Sequence, residues 1–278
     1  MNTVFALLSA LSYGTSDFFG GLASRKSSPL TVLLWSQITG LLLAFSAVFL
    51  LQIKFPENIT VIYAAAAGLC GAAGLAFLYK GLSSGPAAVV APVSAVTGAA
   101  LPVLFGVFIR LEHPSAVVWT GIITALPAIF FLTYEKTTFS TGALKSLITG
   151  ITAGLFFGCF YIFISFSSSG NLIWTMVFAR SASVPVLLLI SAAGKIKIIP
   201  PAGNRVNTAI VGFLDMGANL LFLLALSKGS LVTATVITSL YPAPTVIIQT
   251  IVYKEKISFL RFTGIILALA GAILISLG

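Results

Sequence analysis

The feature that most constrains this chain is a succession of apolar runs, each about 20 residues long and almost free of charge. At 1.5 Å per helical residue, such a run matches the ~30 Å hydrocarbon core of a bilayer. The runs fall at about residues 3–23, 30–53, 59–81, 87–109, 116–133, 143–166, 171–193, 207–226, 231–252 and 259–277. Lipid offers no partner to backbone N–H and C=O groups, so only helices or a closed barrel can cross it. Barrel strands alternate in polarity, and these runs do not. Charged residues make up 8% of the chain, against about a quarter in a soluble domain, too few to cover a surface in water. No Lys or Arg precedes the first run and no cleavage-site pattern follows it, so it reads as a retained helix rather than a signal peptide. The expected fold is an all-α membrane protein of ten transmembrane helices, with connections too short to hold a soluble domain.

The runs also repeat. Residues 119–126 read WTGIITAL and residues 262–269 read FTGIILAL, an offset of 143 positions that also aligns Glu112 with Glu255. Slightly different offsets align residues 82–85 (LSSG) with 226–229 (LSKG), Trp35 with Trp174, and Gly14 with Gly154. Two five-helix repeats follow, over residues 1–138 and 139–278. Five is odd, so the second repeat enters the membrane from the side opposite the first. Inverted repeats of this kind place a substrate site near the midplane between the halves, which rock to exchange access.

Loop cations set the orientation. One side carries Arg25, Lys26, Lys80, Lys136, Lys145, Lys195, Lys197, Arg205, Lys254, Lys256 and Arg261; the other carries Lys54, Arg110 and Lys228. The cation-rich side is cytoplasmic by this rule, which puts both termini outside a multi-pass protein of the cell membrane. The formal net charge of +9 does not indicate nucleic acid, because the cations stand singly in short loops and form no basic patch.

The motifs Tyr13-Gly14-Thr15-Ser16-Asp17-Phe18-Phe19-Gly20, Leu240-Tyr241-Pro242-Ala243-Pro244-Thr245 and Glu255…Thr263-Gly264-Ile265-Ile266…Gly271, with a Gly-rich third span, occur in this order along a five-plus-five repeat. In these respects the whole chain resembles the EamA-like ten-span branch of the drug/metabolite transporter superfamily. The resemblance implies a bundle around a central cavity walled largely by the first, third, fourth, sixth, eighth and ninth spans. It also implies secondary transport of small organic solutes, such as metabolites, amino-acid-like compounds or drugs, by alternating access. Flipping of lipids or lipid-linked head groups, or service as an accessory membrane subunit, is the alternative. Relatives are generally drawn with both termini inside, and the loop charges here argue the reverse.

Charge inside lipid costs roughly 2.5–3.5 kcal/mol per group on insertion scales, so such groups turn to protein or to a cavity. Three stand out: Asp17 in the first span, Arg180 mid-way along the seventh and Asp215 mid-way along the eighth. Arg180 and Asp215 lie at similar depth on successive helices. They read equally as a buried ion pair joining helices or as a site for a substrate anion, a coupling proton or a cation. Asn219 follows Asp215 by one turn and shares its face. Tyr13 precedes Asp17 by one turn, and Lys80 ends the third span on the same side, either snorkelling to the interface or reaching Asp17. Without such a cation, Asp17 is the better proton-coupling group, because pairing with Arg180 keeps Asp215 ionised. Pro86, Pro92 and Pro102 in the fourth span, and Pro242 and Pro244 in its counterpart, mark kinks. Tyr241 at the second of these could offer its hydroxyl to a ligand. The aromatic residues crowding the sixth span read as packing residues, or as a wall for a cationic or aromatic solute. Gly68, Gly71 and Gly74 read as close helix contacts.

An enzyme finds little support. The single histidine, His113, sits in a loop, and no zinc motif, phosphate loop or paired-aspartate motif is present. Cys70 and Cys159 lie in apolar runs without metal spacing. Neither a metal nor another cofactor is expected. The expected partners are a small-molecule substrate, a coupling proton or cation and the lipid bilayer, with a homodimer left open.

Overall fold

The computed structural model describes residues 1–55, 60–84, 87–133, 143–167, 171–254 and 258–277, apart from a few side chains within the helices, Lys80 among them. Eleven α-helices follow one another: α1 Asn2–Ser24, α2 Pro29–Leu50, α3 Thr60–Ser84, α4 Ala87–Phe108, α5 Ala116–Thr133, α6 Ala143–Ser167, α7 Leu172–Ala193, α8 Arg205–Ser227, α9 Leu231–Thr238, α10 Pro242–Tyr253 and α11 Phe259–Leu277. No strand occurs among the described residues.

Among the described residues, six stretches are long and apolar enough to cross a membrane: Pro29–Leu50, Val61–Leu78, Leu147–Ser167, Leu172–Ala193, Ala202–Ser227 and Leu231–Val252. Val93–Phe108, Ala116–Phe131 and Phe262–Ile275 are apolar but shorter. α1 falls in neither group because one of its faces is polar, and the packing explains why. Ser9, Ser12 and Ser16 follow one another at helical spacing, and each hydroxyl donates to a carbonyl of α8, on Ala218 (2.8 Å), Leu214 (2.8 Å) and Val211 (3.1 Å). Small side chains let the two backbones approach, and the hydroxyls supply the interhelical bonds.

The run expected as one ninth span is two helices. Pro242 and Pro244 have no N–H and cannot donate the bonds back to the preceding turn that would join this segment to α9, though both fit the first turn of a new helix. Tyr241 N–H bonds the Thr238 carbonyl at 3.2 Å and Ala243 N–H bonds the Leu240 carbonyl at 2.9 Å, both three residues back. The chain thus tightens into a turn at residues 239–241 and restarts as α10. Gly14 of α1 receives this restart. A methyl group on Gly14 would collide with the Tyr241 carbonyl and Pro244, while the Gly14 carbonyl accepts the Thr245 hydroxyl at 2.9 Å.

Helix pairing follows a pattern. α1 packs on α8 and α3 on α6; α2 packs on α8 and α3 on α7; α4 packs on α6 and α1 on α10; α2 meets α7, and α5 meets α11. With α9 and α10 counted together, advancing each helix by five positions, cyclically, exchanges the members of the first three couples and maps α2–α7 and α5–α11 onto themselves. The backbone carries the same period. Four non-glycine residues among those described have positive φ: Gln52 (49°), Leu111 (55°), Lys195 (52°) and Lys254 (53°). They form two pairs, Gln52 with Lys195 and Leu111 with Lys254, each 143 positions apart. Gln52 and Lys195 close α2 and α7 with the same left-handed C-terminal motif. Ile53 N–H bonds the Val48 carbonyl at 3.0 Å, and Ile196 N–H bonds the Ser191 carbonyl at 2.9 Å. Beyond each of these ends, an indole of the partner helix takes a loop carbonyl. Trp35 of α2 donates to Ile198 (2.7 Å), and Trp174 of α7 donates to Ile53 (3.3 Å).

The largest apolar core lies at one end of the bundle, where α1, α3, α5, α7 and α9 begin and α2, α4, α6, α8 and α11 end. Val48, Val103, Ile164, Phe222 and Leu231 typify it. At the same end the Glu112 carboxylate accepts the N–H groups of Leu231 and Val232, both at 3.0 Å, and so caps α9 from the loop between α4 and α5. Its repeat counterpart, Glu255, lies outside the described residues. Replacing Glu112 with Ala leaves both N–H groups unpaired and should cost about 1–2 kcal/mol. The check is thermal unfolding in detergent, where Glu112→Asp should fall between wild type and Ala. An unchanged midpoint in Glu112→Ala would show that the cap adds nothing.

Candidate functional site

A cavity of about 120 Å³ lies in the bundle between the large core and the opposite end. Arg180 and Asp215 meet on its wall. A guanidinium N–H of Arg180 donates to Asp215 Oδ2 at 2.5 Å, and the other terminal nitrogen donates to Gln37 Oε1, also at 2.5 Å. Ser183, one turn after Arg180, donates its hydroxyl to the same Gln37 oxygen at 2.9 Å. One guanidinium therefore ties α7 to α8 through a charge and to α2 through an amide. The remaining nitrogen, Nε, has no hydrogen-bond partner among the described residues. It lies toward Gly40 of α2, where an added methyl would come within 3.3 Å. Arg180 is 6% exposed and Gln37 2%, so neither can turn to water for a partner.

Asn219, one turn beyond Asp215, donates its amide to the Asp215 carbonyl at 2.7 Å. Its Oδ1 is buried and has no partner among the described residues. Asp17, Tyr13 and Tyr241 also line the cavity. The two tyrosine rings meet edge-on at 6.4 Å, one from α1 and one from the break between α9 and α10. Asp17 is exposed to the cavity and makes no hydrogen bond or ion pair among the described residues. The structure thus gathers six of the seven expected residues around one space. The seventh, Lys80, belongs to α3, but its side chain lies outside the described residues.

The aromatic residues of α6 divide between two tasks. Phe157, Phe160 and Tyr161 face the cavity. Phe156 stacks on Phe77 of α3 (5.6 Å, 10°), and Phe166 packs against Tyr63 and beneath the Arg110 guanidinium, 4.9 Å from the ring centroid. The α3 glycines divide similarly. A side chain on Gly68 would strike the α7 backbone at Ala179, whereas Gly71 and Gly74 leave room for the rings of Phe160 and Phe157. His113 stays exposed in its loop, and Cys70 and Cys159 are free thiols.

Gln37, Ser183 and Ser94 are cavity-region residues that the sequence did not single out. For Gln37 a signal existed. An amide in the middle of an apolar run needs a partner as much as a charge does, and Gln37 is the only such amide in the second span.

Among curated proteins, none matches the sequence. One solved crystal structure of a protein superposes with a TM-score of 0.83, covering 99% of this chain and 96% of that one, at 14% identity; the likeness is one of fold alone. The profile of the EamA-like transporter family matches twice, over residues 2–134 and 144–277, and so accounts for nearly the whole chain in two repeats. Together with the apolar spans, this makes the chain an integral membrane protein. The chain belongs to the EamA-like transporter family.

Proposed function

We propose that this protein is a secondary transporter that carries small organic solutes across the cell membrane by alternating access. Ten crossings do the work, with α9 and α10 forming one broken crossing, in two inverted halves over residues 1–138 and 139–278. The family match, the 143-residue period of the left-handed residues and the fivefold shift that preserves helix pairing all support two equivalent halves. One observation carries the proposal: the cavity holds the Arg180–Asp215 pair at mid-depth, with walls supplied by helices of both halves. Transport sites of inverted-repeat proteins lie in such a place, often beside a broken helix. Asp17, exposed and unpaired among the described residues, is the group that receives a coupling proton or cation. The large core closes the end carrying both termini, and the cavity lies toward the other end. With the cation-rich loops in the cytoplasm, the termini face outward and the structure is open inward.

Thermal unfolding of the purified protein against a panel of small metabolites tests the binding half of this reading, since a ligand of the folded state raises apparent stability. Solutes that stabilise it should enter proteoliposomes by a saturable route. Their failure to enter vesicles that hold folded protein would refute transport.

A further inference from the structure

We infer that the solute is an organic monocation, an aryl-alkyl ammonium in which the ammonium sits between Asp17 and Asn219 and the ring lies against the aromatic face of α6. The inference rests on the transport reading above and names the chemistry of the same cavity.

Charge is the first support. Two carboxylates and one guanidinium line the cavity among the described residues. Arg180 is committed: its terminal nitrogens hold Asp215 and Gln37 at 2.5 Å each, and Nε turns to Gly40. An anionic solute would have to displace Asp215 from Arg180, leaving a carboxylate buried without its cation. The pair cancels itself, and Asp17 remains as one negative charge, exposed and without a partner among the described residues. A single positive charge on the solute complements it.

Hydrogen bonding is the second support, and it is independent of charge. Asn219 is 2% exposed and donates one amide N–H to the Asp215 carbonyl, which orients the side chain and identifies Oδ1 as its acceptor. That oxygen accepts from nothing among the described residues. A buried acceptor without a donor costs about 1–3 kcal/mol, so this oxygen is short of a donor, while the unpaired Arg180 Nε is turned toward Gly40. An ammonium has only donors to give, and the Asp17 carboxylate and Asn219 Oδ1 are acceptors. A carboxylate or phosphate on the solute would face both with the wrong polarity.

The walls are the third. Phe157, Phe160 and Tyr161 of α6 line the cavity together with Tyr13 and Tyr241. Ring faces attract ammonium groups and stack with aryl groups.

Three probes share a carbon skeleton and differ in charge: 2-phenylethylammonium, 2-phenylethanol and phenylacetate. Binding to the full-length protein in detergent is measured by calorimetry and by thermal shift. The ammonium should bind at least about tenfold more tightly than the alcohol, and phenylacetate should not bind. Asp17→Asn should remove this preference while leaving the unliganded unfolding midpoint near wild type, because Asp17 holds no partner among the described residues. Asp17→Glu should restore it in part, and Asn219→Leu should weaken the ammonium and not the alcohol. Phenylacetate binding best, or ammonium binding unaltered in Asp17→Asn, would overturn the inference. If Asp17→Asn does not fold, the Asn219→Leu comparison decides alone. Uptake separates the two claims: an ammonium that binds through Asp17 but never crosses the membrane defeats transport and leaves the site standing. Saturable uptake of a neutral or anionic solute, without ammonium binding, defeats this inference and leaves transport standing.

Discussion

Asp215→Asn should be the most damaging conservative substitution in the cavity, costing about 3–5 kcal/mol of stability and all transport. It leaves the Arg180 guanidinium buried without a counter-charge, facing amide acceptors alone. A guanidinium cannot shed its proton, so the charge has no escape. Arg180→Gln should cost less, because the Asp215 left behind can neutralise itself by taking a proton. The double variant Arg180→Gln/Asp215→Asn removes both charges and replaces them with amides able to bond one another. Its stability should recover toward wild type while transport stays absent. A thermodynamic cycle over the four proteins reads the coupling directly. Equal losses in the two single variants, adding in the double, would mean that the two groups do not depend on each other. Full transport in the double variant would reduce the pair to a structural clasp.

The second large effect is expected far from any charge. Gly68→Leu should abolish transport and lower the unfolding midpoint by several degrees or prevent folding. A Cβ at Gly68 would overlap the Ala179 carbonyl and come within 2.6 Å of its carbonyl carbon. Backbone cannot rotate away as a side chain can, so α3 and α7 must separate. Ala179 precedes Arg180, and the separation therefore carries the guanidinium off Asp215 and Gln37. Gly71→Ala should be milder, since the obstacle there, 3.2 Å from the added methyl, is the Phe160 ring, which can shift. Gly21→Ala serves as a control, with nothing within 4 Å of the new methyl. Expression, midpoint and uptake should rank Gly21→Ala, Gly71→Ala and Gly68→Leu in that order. If Gly68→Leu matched Gly21→Ala, the close approach of α3 and α7 would be wrong.

The sequence announces charges well and geometry poorly. Arg180, Asp215 and Asp17 stand out because apolar runs tolerate so few ionised groups, and Asn219 follows from its one-turn spacing. Gln37 and Ser183 escape notice because neutral polar residues are common in such spans. Their value appears only when α2 and α7 cross and bring the amide onto the guanidinium. The serines of α1 lower its hydropathy, and only the fold reveals them as a ladder onto α8. Pro242 and Pro244 mark where the ninth span deforms, but not that it breaks outright. Glu112 aligned with Glu255 as a repeat marker; that Glu112 caps α9 from another helix pair depends on a long-range contact. The 143-residue period shows more sharply in the backbone, through Gln52, Lys195, Leu111 and Lys254, than in the side chains, because closing a helix constrains φ whatever residue stands there.

Alternation of the cavity between the two ends is the centre of the account. Two single cysteines report it, in a background with Cys70 and Cys159 replaced by Ala. One is Leu78→Cys on the cavity wall of α3, and the other is Val103→Cys in the closed core of α4, 5% exposed here. A membrane-impermeant maleimide is applied to proteoliposomes while a stabilising solute exchanges across the membrane. Leu78→Cys should label fast without solute and more slowly during exchange, while Val103→Cys changes in the opposite sense. Simultaneous fast labelling of both positions, or solute flux with Val103→Cys sealed throughout, would contradict alternating access.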